Sequence, residues 1–419
     1  MLRSYLTLAW RILLRRKFFT FISLFGISFT LMILLVVVAF FDHISGPQVP
    51  ERQMDRMLFV SMLRQRYQGG NGWSNSPVSA SFINTYVRPM KTPEAVAITS
   101  MTTNATAFTP TQRLSVDLRY TDAVFWQILD FDFVEGRAFS AAEVRQTAPV
   151  AIINESTARA YFGTATGVVG REVELNLRRY RIAGVVRDVP AVRFYTYADV
   201  WIPYTHAPRN FGDTHYDGEF MAILLAHSAA EAPAVRAEFQ QVMRRVPIQN
   251  PKRIDRHYCY ADPVIGSVMR QLLNFEGQEN GSDNLGLFYT ICTVLALLFM
   301  GLPTLNLVNL NVTRILERSS EIGVRKAFGA SGRVLVGQFL VENVVLSVLG
   351  GALGLGLAAG VLHLLNESHI VAYSQFGLNL RVFGWGGLLA VVFGLLSGVY
   401  PAWRMSKMNP VDALRGSGK

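Results

Sequence analysis

The chain has 419 residues, half of them hydrophobic, and carries a formal net charge of +10. Residues 1–42 and 285–419 together hold 15 Lys and Arg against 6 Asp and Glu, whereas residues 43–284 hold 25 against 24. Because the basic excess is confined to the most apolar parts of the chain, it indicates membrane-flanking segments and argues against nucleic acid as a partner.

Four apolar runs are long enough to cross a hydrocarbon core, which takes about 20 helical residues. They cover residues 18–41, 285–312, 344–365 and 382–403. Basic residues precede the first run, separate the second from the third and follow the fourth, whereas residues 366–380 contain no Lys or Arg. This pattern predicts a multi-pass protein with both termini in the cytoplasm and the block 43–284 outside. The first run is too long for a signal-peptide core and is interpreted as a retained anchor.

The block 43–284 begins with a predicted helical stalk or linker at residues 43–57. A β-α-β unit follows, with strands at 58–63 and 95–99, a polar loop at 69–77 and a helix at 78–90. Later predicted elements are a strand at 150–155, a helix at 156–162, paired strands at 172–177 and 180–186, a strand at 221–226, a helix at 234–245 and a second stalk at 264–284. No glycine-rich phosphate loop follows the strand at 150–153, so the pattern favours a mixed α+β domain without a catalytic role.

The two cysteines are expected on different sides of the membrane interface, because Cys259 lies in the outer block and Cys292 in the second apolar run. An intramolecular disulfide is therefore not expected. Cys259 is interpreted as a buried thiol.

A charged turn joins the second and third apolar runs. If it is helical, four charged residues share one face at i, i+4, i+7 and i+11: Arg314, Arg318, Glu321 and Arg325. Glu321 precedes Arg325 in the favourable order for an ion pair, while Gly329 can end the helix and Ser331 can cap the next one. The pattern predicts a short polar helix at the membrane surface, although a basic loop between two spans also serves as a topology signal.

The third run is rich in small residues, and the fourth has Gly394 and Gly398 at a spacing of four. In lipid such residues let helix backbones approach closely, which explains packing within one subunit at least as well as contacts between subunits. The helix predicted around the third run also holds two ionisable residues, Glu342 just before the run and His363 near its end. Glu342 is a functional candidate because a charge in hydrocarbon is costly, whereas a neutral imidazole is the simpler interpretation of His363.

The sequence from Glu321 to Ala330, together with Gln338-Phe339-Leu340-Val341-Glu342, resembles the coupling segment of MacB/FtsX-type permeases of ABC transporters. Residues 184–189 resemble the closing strand of that family's core domain, and residues 397–403 and 409–415 resemble its C-terminal signature. The resemblance implies an α+β fold in three parts. Residues 1–42 would hold transmembrane helix 1, residues 43–284 a large extracytoplasmic mixed α/β core domain, and residues 285–419 transmembrane helices 2–4.

The resemblance also implies that segment 313–333 docks on a cytoplasmic ABC ATPase. The coupling residues would be Arg318, Glu321, Ile322, Gly323, Arg325, Lys326, Gly329 and Ala330, and Glu342 matches a further family position. The chain shows no HExxH, no CxxC pair and no Gly-x-Ser-x-Gly motif, so no enzymatic activity, metal or cofactor is expected on it. Since only 17 residues precede the first apolar run, ATP is expected on a separate subunit, unlike the fused ATPase of MacB proper.

What the resemblance implies for function is mechanotransmission in the inner membrane. Closure of the ATPase would move the spans and rearrange the periplasmic domains of a homodimer, or of a heterodimer with a related permease, surrounded by membrane lipids. The load would be an antimicrobial compound or peptide for efflux, or a released lipoprotein, and a periplasmic adaptor or carrier could take part. Regulation of a cell-wall hydrolase, as in FtsX, is an alternative. A membrane-anchored sensor or scaffold without an ATPase is the competing class.

Overall fold

The computed structural model describes residues 2–15, 17–70, 72–109, 113–208, 215–272, 285–317, 331–368 and 380–406, and the single residues 324, 328, 373 and 376. The chain divides into two compact units. The helical unit comprises Met1–Asp42, Tyr289–Ile370 and Phe376–Lys419, and the core unit comprises His43–Phe288 and Val371–Gln375.

The described helices and strands are as follows. The helices are α1 Leu2–Arg15, α2 Lys17–Ser45, α3 Ala80–Phe82, α4 Phe125–Ile128, α5 Ala141–Arg145, α6 Glu155–Phe162, α7 Ala232–Arg245, α8 Val264–Leu272, α9 Leu285–Glu317, α10 Gly332–Ser368 and α11 Leu380–Ser406. The strands are β1 Met57–Val60, β2 Leu63–Tyr67, β3 Trp73–Ser76, β4 Ala95–Ser100, β5 Thr103–Phe108, β6 Arg113–Thr121, β7 Phe133–Gly136, β8 Val150–Asn154, β9 Glu172–Leu175, β10 Arg178–Val186, β11 Val200–Pro203, β12 Phe220–Leu225 and β13 Ile254–Cys259.

Ten strands of the core unit form one mixed sheet in the order β1-β12-β4-β6-β11-β8-β10-β9-β5, with β7 also paired to β10. The pairs β8–β10 and β6–β11 are parallel. Strand β5 pairs back onto β6 along its whole length and onto β9 at Ala107 and Leu175. Six of the strands therefore close into a ring, and the core unit is a mixed α/β domain.

The step from β8 into α6 follows from its sequence. Every residue of β8 is buried, as expected for the apolar run Val150-Ala151-Ile152-Ile153. The Asn154 side chain accepts a hydrogen bond from the Thr157 amide at 2.8 Å and caps the helix. Gly163, in the left-handed conformation, ends it. This element was predicted within one residue at each end.

Several other predicted elements differ from the structure. The predicted strand 58–63 is split between β1 in the large sheet and β2 in a separate three-stranded sheet, β13-β2-β3. The predicted loop 69–77 contains β3, and strands β5, β6, β11 and β13 were not predicted. The helix predicted at 78–90 is limited to residues 80–87 and is completed by π-helical turns. Of the two alternatives for residues 43–57, a helical stalk or a linker, the helical stalk is wrong beyond Ser45, where α2 ends. Residues 273–284 of the second stalk lie outside the described residues.

The four predicted apolar runs lie within the four long helices α2, α9, α10 and α11. Two described stretches, Lys17–Ile44 and Val336–Ser368, are long and apolar enough to cross a membrane, while the apolar stretch Leu285–Gly301 of α9 is shorter. On α2, the exposed side chains of Phe21, Phe25 and Phe29 stack in succession with centroid distances of 6.2 and 5.4 Å. An exposed aromatic face of this kind is expected for a helix surrounded by lipid.

Candidate functional site

The predicted ATPase-coupling segment is described only in part. Eight predicted coupling residues lie outside the described residues: Arg318, Glu321, Ile322, Gly323, Arg325, Lys326, Gly329 and Ala330. Two residues of the same segment, Val324 and Phe328, are described. The Phe328 amide donates a hydrogen bond to the Val324 carbonyl at 3.1 Å, as in a turn of α-helix. The Val324 side chain is 44% exposed and the Phe328 side chain 89%. The sequence had drawn attention to charge here, yet these two residues place an apolar pair on one side of the turn.

The candidate Glu342 is buried inside the helical unit, with an exposure of 4%. A group of buried polar residues lies where α10 and α11 approach each other: Asn343 and Ser347 on α10 and Ser397 on α11. The Asn343 amide donates to the Phe339 carbonyl at 3.0 Å, and the Ser397 hydroxyl donates to the Gly394 carbonyl at 2.9 Å. Polar residues within membrane helices usually face the interior of the bundle, and Glu342 follows that rule.

Glycines bring α11 close to this polar group. An ideal Cβ at Gly394 would lie 1.8 Å from the Ser347 hydroxyl oxygen and 2.4 Å from its Cβ, and one at Gly398 would lie 3.0 Å from the Asn343 amide nitrogen. On α10, a Cβ at Gly350 would lie 2.8 Å from Ile27. The small residues therefore support close helix packing within one chain.

We expect Gly394→Ala to destabilise the helical unit by about 1–3 kcal/mol, because the added methyl group overlaps the Cβ of Ser347 and rotation of the hydroxyl cannot relieve the overlap. The matched control is Gly387→Ala on the same helix, where nothing lies within 4 Å of an added Cβ. The measurement is the thermal unfolding midpoint of the full chain in detergent. Equal midpoints for the two variants would contradict the close packing.

A second group of buried polar residues lies in the core unit. The side chains of Arg193 and Glu51 are 0% and 2% exposed, and Nη1 of Arg193 lies 2.5 Å from Oε2 of Glu51. The other oxygen of Glu51 accepts a hydrogen bond from Thr196 Oγ1 at 2.6 Å. A buried ion pair with this geometry fixes two chain segments that are 142 residues apart.

The fully buried Arg119 of β6 donates mainly to backbone carbonyls. Its Nε binds the Tyr197 carbonyl at 2.9 Å, its Nη2 binds the Phe194 carbonyl at 2.8 Å, and its Nη1 binds the Ser100 carbonyl. Burial lowers the pKa of Arg119 to about 9, partly offset by Glu51 and then Asp117. The side chain stays charged at neutral pH. The sequence analysis did not single out these residues, because β6 carries several polar residues and a single arginine does not stand out among them.

Among the described residues, no group of three or more His, Cys, Asp and Glu side chains could hold a metal ion. Both cysteines are free, and Cys259 is buried, as predicted. Burial raises the pKa of the Cys259 thiol, which makes it a poor nucleophile.

Two family models match the chain. The MacB-like periplasmic core domain matches residues 20–242, and the FtsX-like permease C-terminal domain matches residues 293–410.

Curated relatives match almost the whole chain. It is 26% identical over 427 residues to the macrolide export ATP-binding/permease protein MacB of Burkholderia thailandensis, covering 97% of this chain and 59% of that protein. For MacB of Escherichia coli the identity is 25% over 425 residues, covering 98% of this chain and 60% of that protein. For MacB of Bdellovibrio bacteriovorus it is 31% over 288 residues, covering 67% and 41%. The chain thus spans about 40–60% of the length of these relatives.

Solved structures of extracytoplasmic domains also match. The periplasmic region of MacB from Actinobacillus actinomycetemcomitans matches with 13% identity and a TM-score of 0.36, over 53% of this chain and 94% of that one. The extracellular domain of the ABC-type transporter YknZ from Gram-positive bacteria matches with 14% identity and a TM-score of 0.36, over 48% of this chain and 98% of that one.

Proposed function

The chain belongs to the MacB/FtsX-type permeases of ABC transporters, and on that premise we propose that it couples ATP hydrolysis by a cytoplasmic ATPase to movement of its periplasmic core domain. The observation that carries the proposal is that a periplasmic core domain and a permease domain follow each other along one chain, as in relatives named for both ATP binding and permease activity. In this scheme ATP binds a partner subunit that docks on segment 313–333, and this chain catalyses no reaction.

The proposed topology has four spans in the inner membrane with both termini in the cytoplasm. The division into units supports it, because Val371–Gln375, between α10 and α11, groups with His43–Phe288. Tyr373, the described residue of this stretch, packs against Tyr197 of the core unit, which supports a connection between α10 and α11 on that unit's side of the membrane. The intervening turn 313–333 then lies on the opposite side, where an ATPase can reach it.

The proposed load is an antimicrobial compound or peptide, because the relatives are named as macrolide exporters. Such a load would be moved by rearrangement of the periplasmic domains of a dimer, with a periplasmic adaptor or carrier receiving it. Lipoprotein release uses the same movements with a different load. A sensor or scaffold differs from both in needing no ATPase, so the ATPase is what the first experiment has to detect.

We expect affinity purification of the tagged full chain from its native membrane, with a non-hydrolysable ATP analogue present, to recover an ABC ATPase in stoichiometric amount. Mass spectrometry identifies the ATPase. Its hydrolysis rate is then measured with and without the chain in lipid nanodiscs, and we expect a several-fold rise. Recovery of the intact chain without any ATPase, in several detergents, would contradict the proposal and favour a scaffold.

A further inference from the structure

Three segments of the core unit lead to the long helices. The first, residues 46–51, follows α2. The second is α8, which precedes α9, and the third is represented by Tyr373, the described core-unit residue between α10 and α11. All three make contact with one stretch of five residues, Arg193-Phe194-Tyr195-Thr196-Tyr197, or with Asp199 just after it. We call residues 193–197 the hub segment.

The first connection is held by Arg193 and Thr196. Besides its ion pair with Glu51, Arg193 donates from Nη2 to the Gly46 carbonyl at 2.8 Å, directly after the end of α2. Thr196 binds the other carboxylate oxygen of Glu51. Both ends of segment 46–51 are thus attached to the hub segment through buried groups.

The second connection is held by Tyr195, which lies between the two residues that hold the first. The Tyr195 hydroxyl lies 2.6 Å from the Ser267 hydroxyl on α8, and Ser267 in turn lies 2.8 Å from the Ser61 hydroxyl. The Tyr195 ring stacks on Phe59 of β1 with centroids 4.5 Å apart. One side chain therefore joins α8 to the hub segment and to the large sheet.

The third connection is held by Tyr197 and Asp199. The rings of Tyr197 and Tyr373 have centroids 6.1 Å apart, and the Tyr373 hydroxyl hydrogen-bonds the Asp199 carboxylate. Asp199 is held in place by Asn154 at 3.1 Å and by the Asp117 amide at 2.9 Å. Arg119 then fixes the hub segment to β6 through the Phe194 and Tyr197 carbonyls.

We propose that the hub segment is the joint at which movements of all three connections are combined before they reach the core domain, with Tyr195 and Thr196 as positioning residues. The reason is geometric: the three connections bind side chains on neighbouring residues, and these residues are fixed to the sheet by a buried cation. Because buried polar groups are costly to separate from their partners, moving one connection displaces the segment that holds the others. The inference rests on the proposed function for its biological meaning, but the joint itself can be tested without an ATPase.

The test is hydrogen exchange of the purified full chain in nanodiscs, comparing Tyr195→Phe with the parent. This change removes the hydrogen bonds of the Tyr195 hydroxyl with Ser267, Ser61 and Gln271 and keeps the ring on Phe59. If the three connections act through one joint, the exchange rate of the backbone amides rises about fivefold in residues 43–51 as well as in α8. A factor of about five corresponds to the loss of one net hydrogen bond. We expect the amides of β5 and β9 to exchange as in the parent, because none of the side-chain hydrogen bonds described above joins these strands to a hub residue. Ser267→Ala removes only the Ser267 part of this link and leaves the hydrogen bonds of Tyr195 with Ser61 and Gln271, so we expect the same pattern with a smaller rise.

The matched control is Tyr161→Phe on α6. It removes a hydroxyl that donates to the Phe108 carbonyl at 2.7 Å and accepts from the Glu174 amide at 3.1 Å. Faster exchange is expected at β9 and not at residues 43–51. A rise confined to α8 in both Tyr195→Phe and Ser267→Ala would overturn the joint and leave three independent contacts.

A second arm adds the ATPase and ATP. We expect ATP to change exchange at residues 43–51, α8 and the 371–375 loop together in the parent, and this concerted change to be lost in Tyr195→Phe. If the first arm succeeds and ATP changes nothing in the parent, the joint exists and the proposed function fails. If ATP acts on the parent and on Tyr195→Phe alike, the joint fails and the function stands.

Discussion

Glu321→Lys is expected to abolish ATPase association, or stimulation of the ATPase by the chain, while expression and folding remain as in the parent. An exposed i, i+4 pair such as the predicted Glu321–Arg325 pair stabilises a helix by only about 0.3–0.5 kcal/mol, so its loss is tolerated. A like charge placed in a docking surface costs several kcal/mol, which is enough to prevent binding. The measurement is binding and hydrolysis with the purified ATPase.

The matched control is Glu367→Lys, which also replaces one negative charge with a positive one. Glu367 lies at the end of α10, and its side chain is 65% exposed. It is expected to bind and stimulate the ATPase like the parent. The neighbouring Phe328 offers an independent check, because truncation of a ring that is 89% exposed removes contact area without changing charge. If Glu321→Lys binds normally, the charged face serves only as a topology signal.

Arg193→Met is expected to destabilise the core domain by about 3–5 kcal/mol, because Glu51 is left as a buried charge without its cation. The double variant Arg193→Met, Glu51→Met is expected to regain most of this loss, since removal of both members leaves no uncompensated charge. Chemical unfolding of the full chain, followed by tryptophan fluorescence, to which the buried Trp126 and Trp201 of the core unit contribute, measures both variants.

The comparison for this pair is an exposed one. Arg137 and Glu143 lie 2.9 Å apart, with the Arg137 side chain 61% exposed, and the arginine lowers the pKa of Glu143 to about 2. Arg137→Met is expected to lower the free energy of unfolding by less than about 1 kcal/mol, because solvent screens the pair. If Arg193→Met costs no more than Arg137→Met, the buried pair does not hold segment 46–51 to the domain.

The sequence predicts those elements whose causes are local. The apolar run of β8, the cap at Asn154 and the terminating Gly163 define a strand and helix almost to the residue. Strands β2 and β3 were split or missed because they carry polar residues such as Arg64 and Arg66, so neither shows the alternation of a half-buried strand. The burial of Glu342 agrees with the expectation for a charge in a membrane helix.

The hub segment could not be found in the same way, because its partners are far away in the chain. Arg193 meets Glu51 across 142 residues and Tyr195 meets Ser267 across 72. Hydrophobic periodicity carries no information about which residues pair over such separations. An arginine within an aromatic stretch is unusual in a sequence, but its partner is known only once the fold is known. The role of segment 313–333 stays a prediction.

The ring formed by β5, β6, β11, β8, β10 and β9 has a consequence for life in a crowded periplasm. An open sheet edge offers unpaired amides and carbonyls to any extended chain, and strand addition of this kind is difficult to reverse. Within the ring, each of the six described strands has neighbours on both sides. Along most of the ring, neighbouring copies of this domain therefore meet through side chains; the exception is between β5 and β9, which pair only at Ala107 and Leu175. In the proposed transport cycle, such side-chain contacts can separate and form again, so the domains do not become locked together.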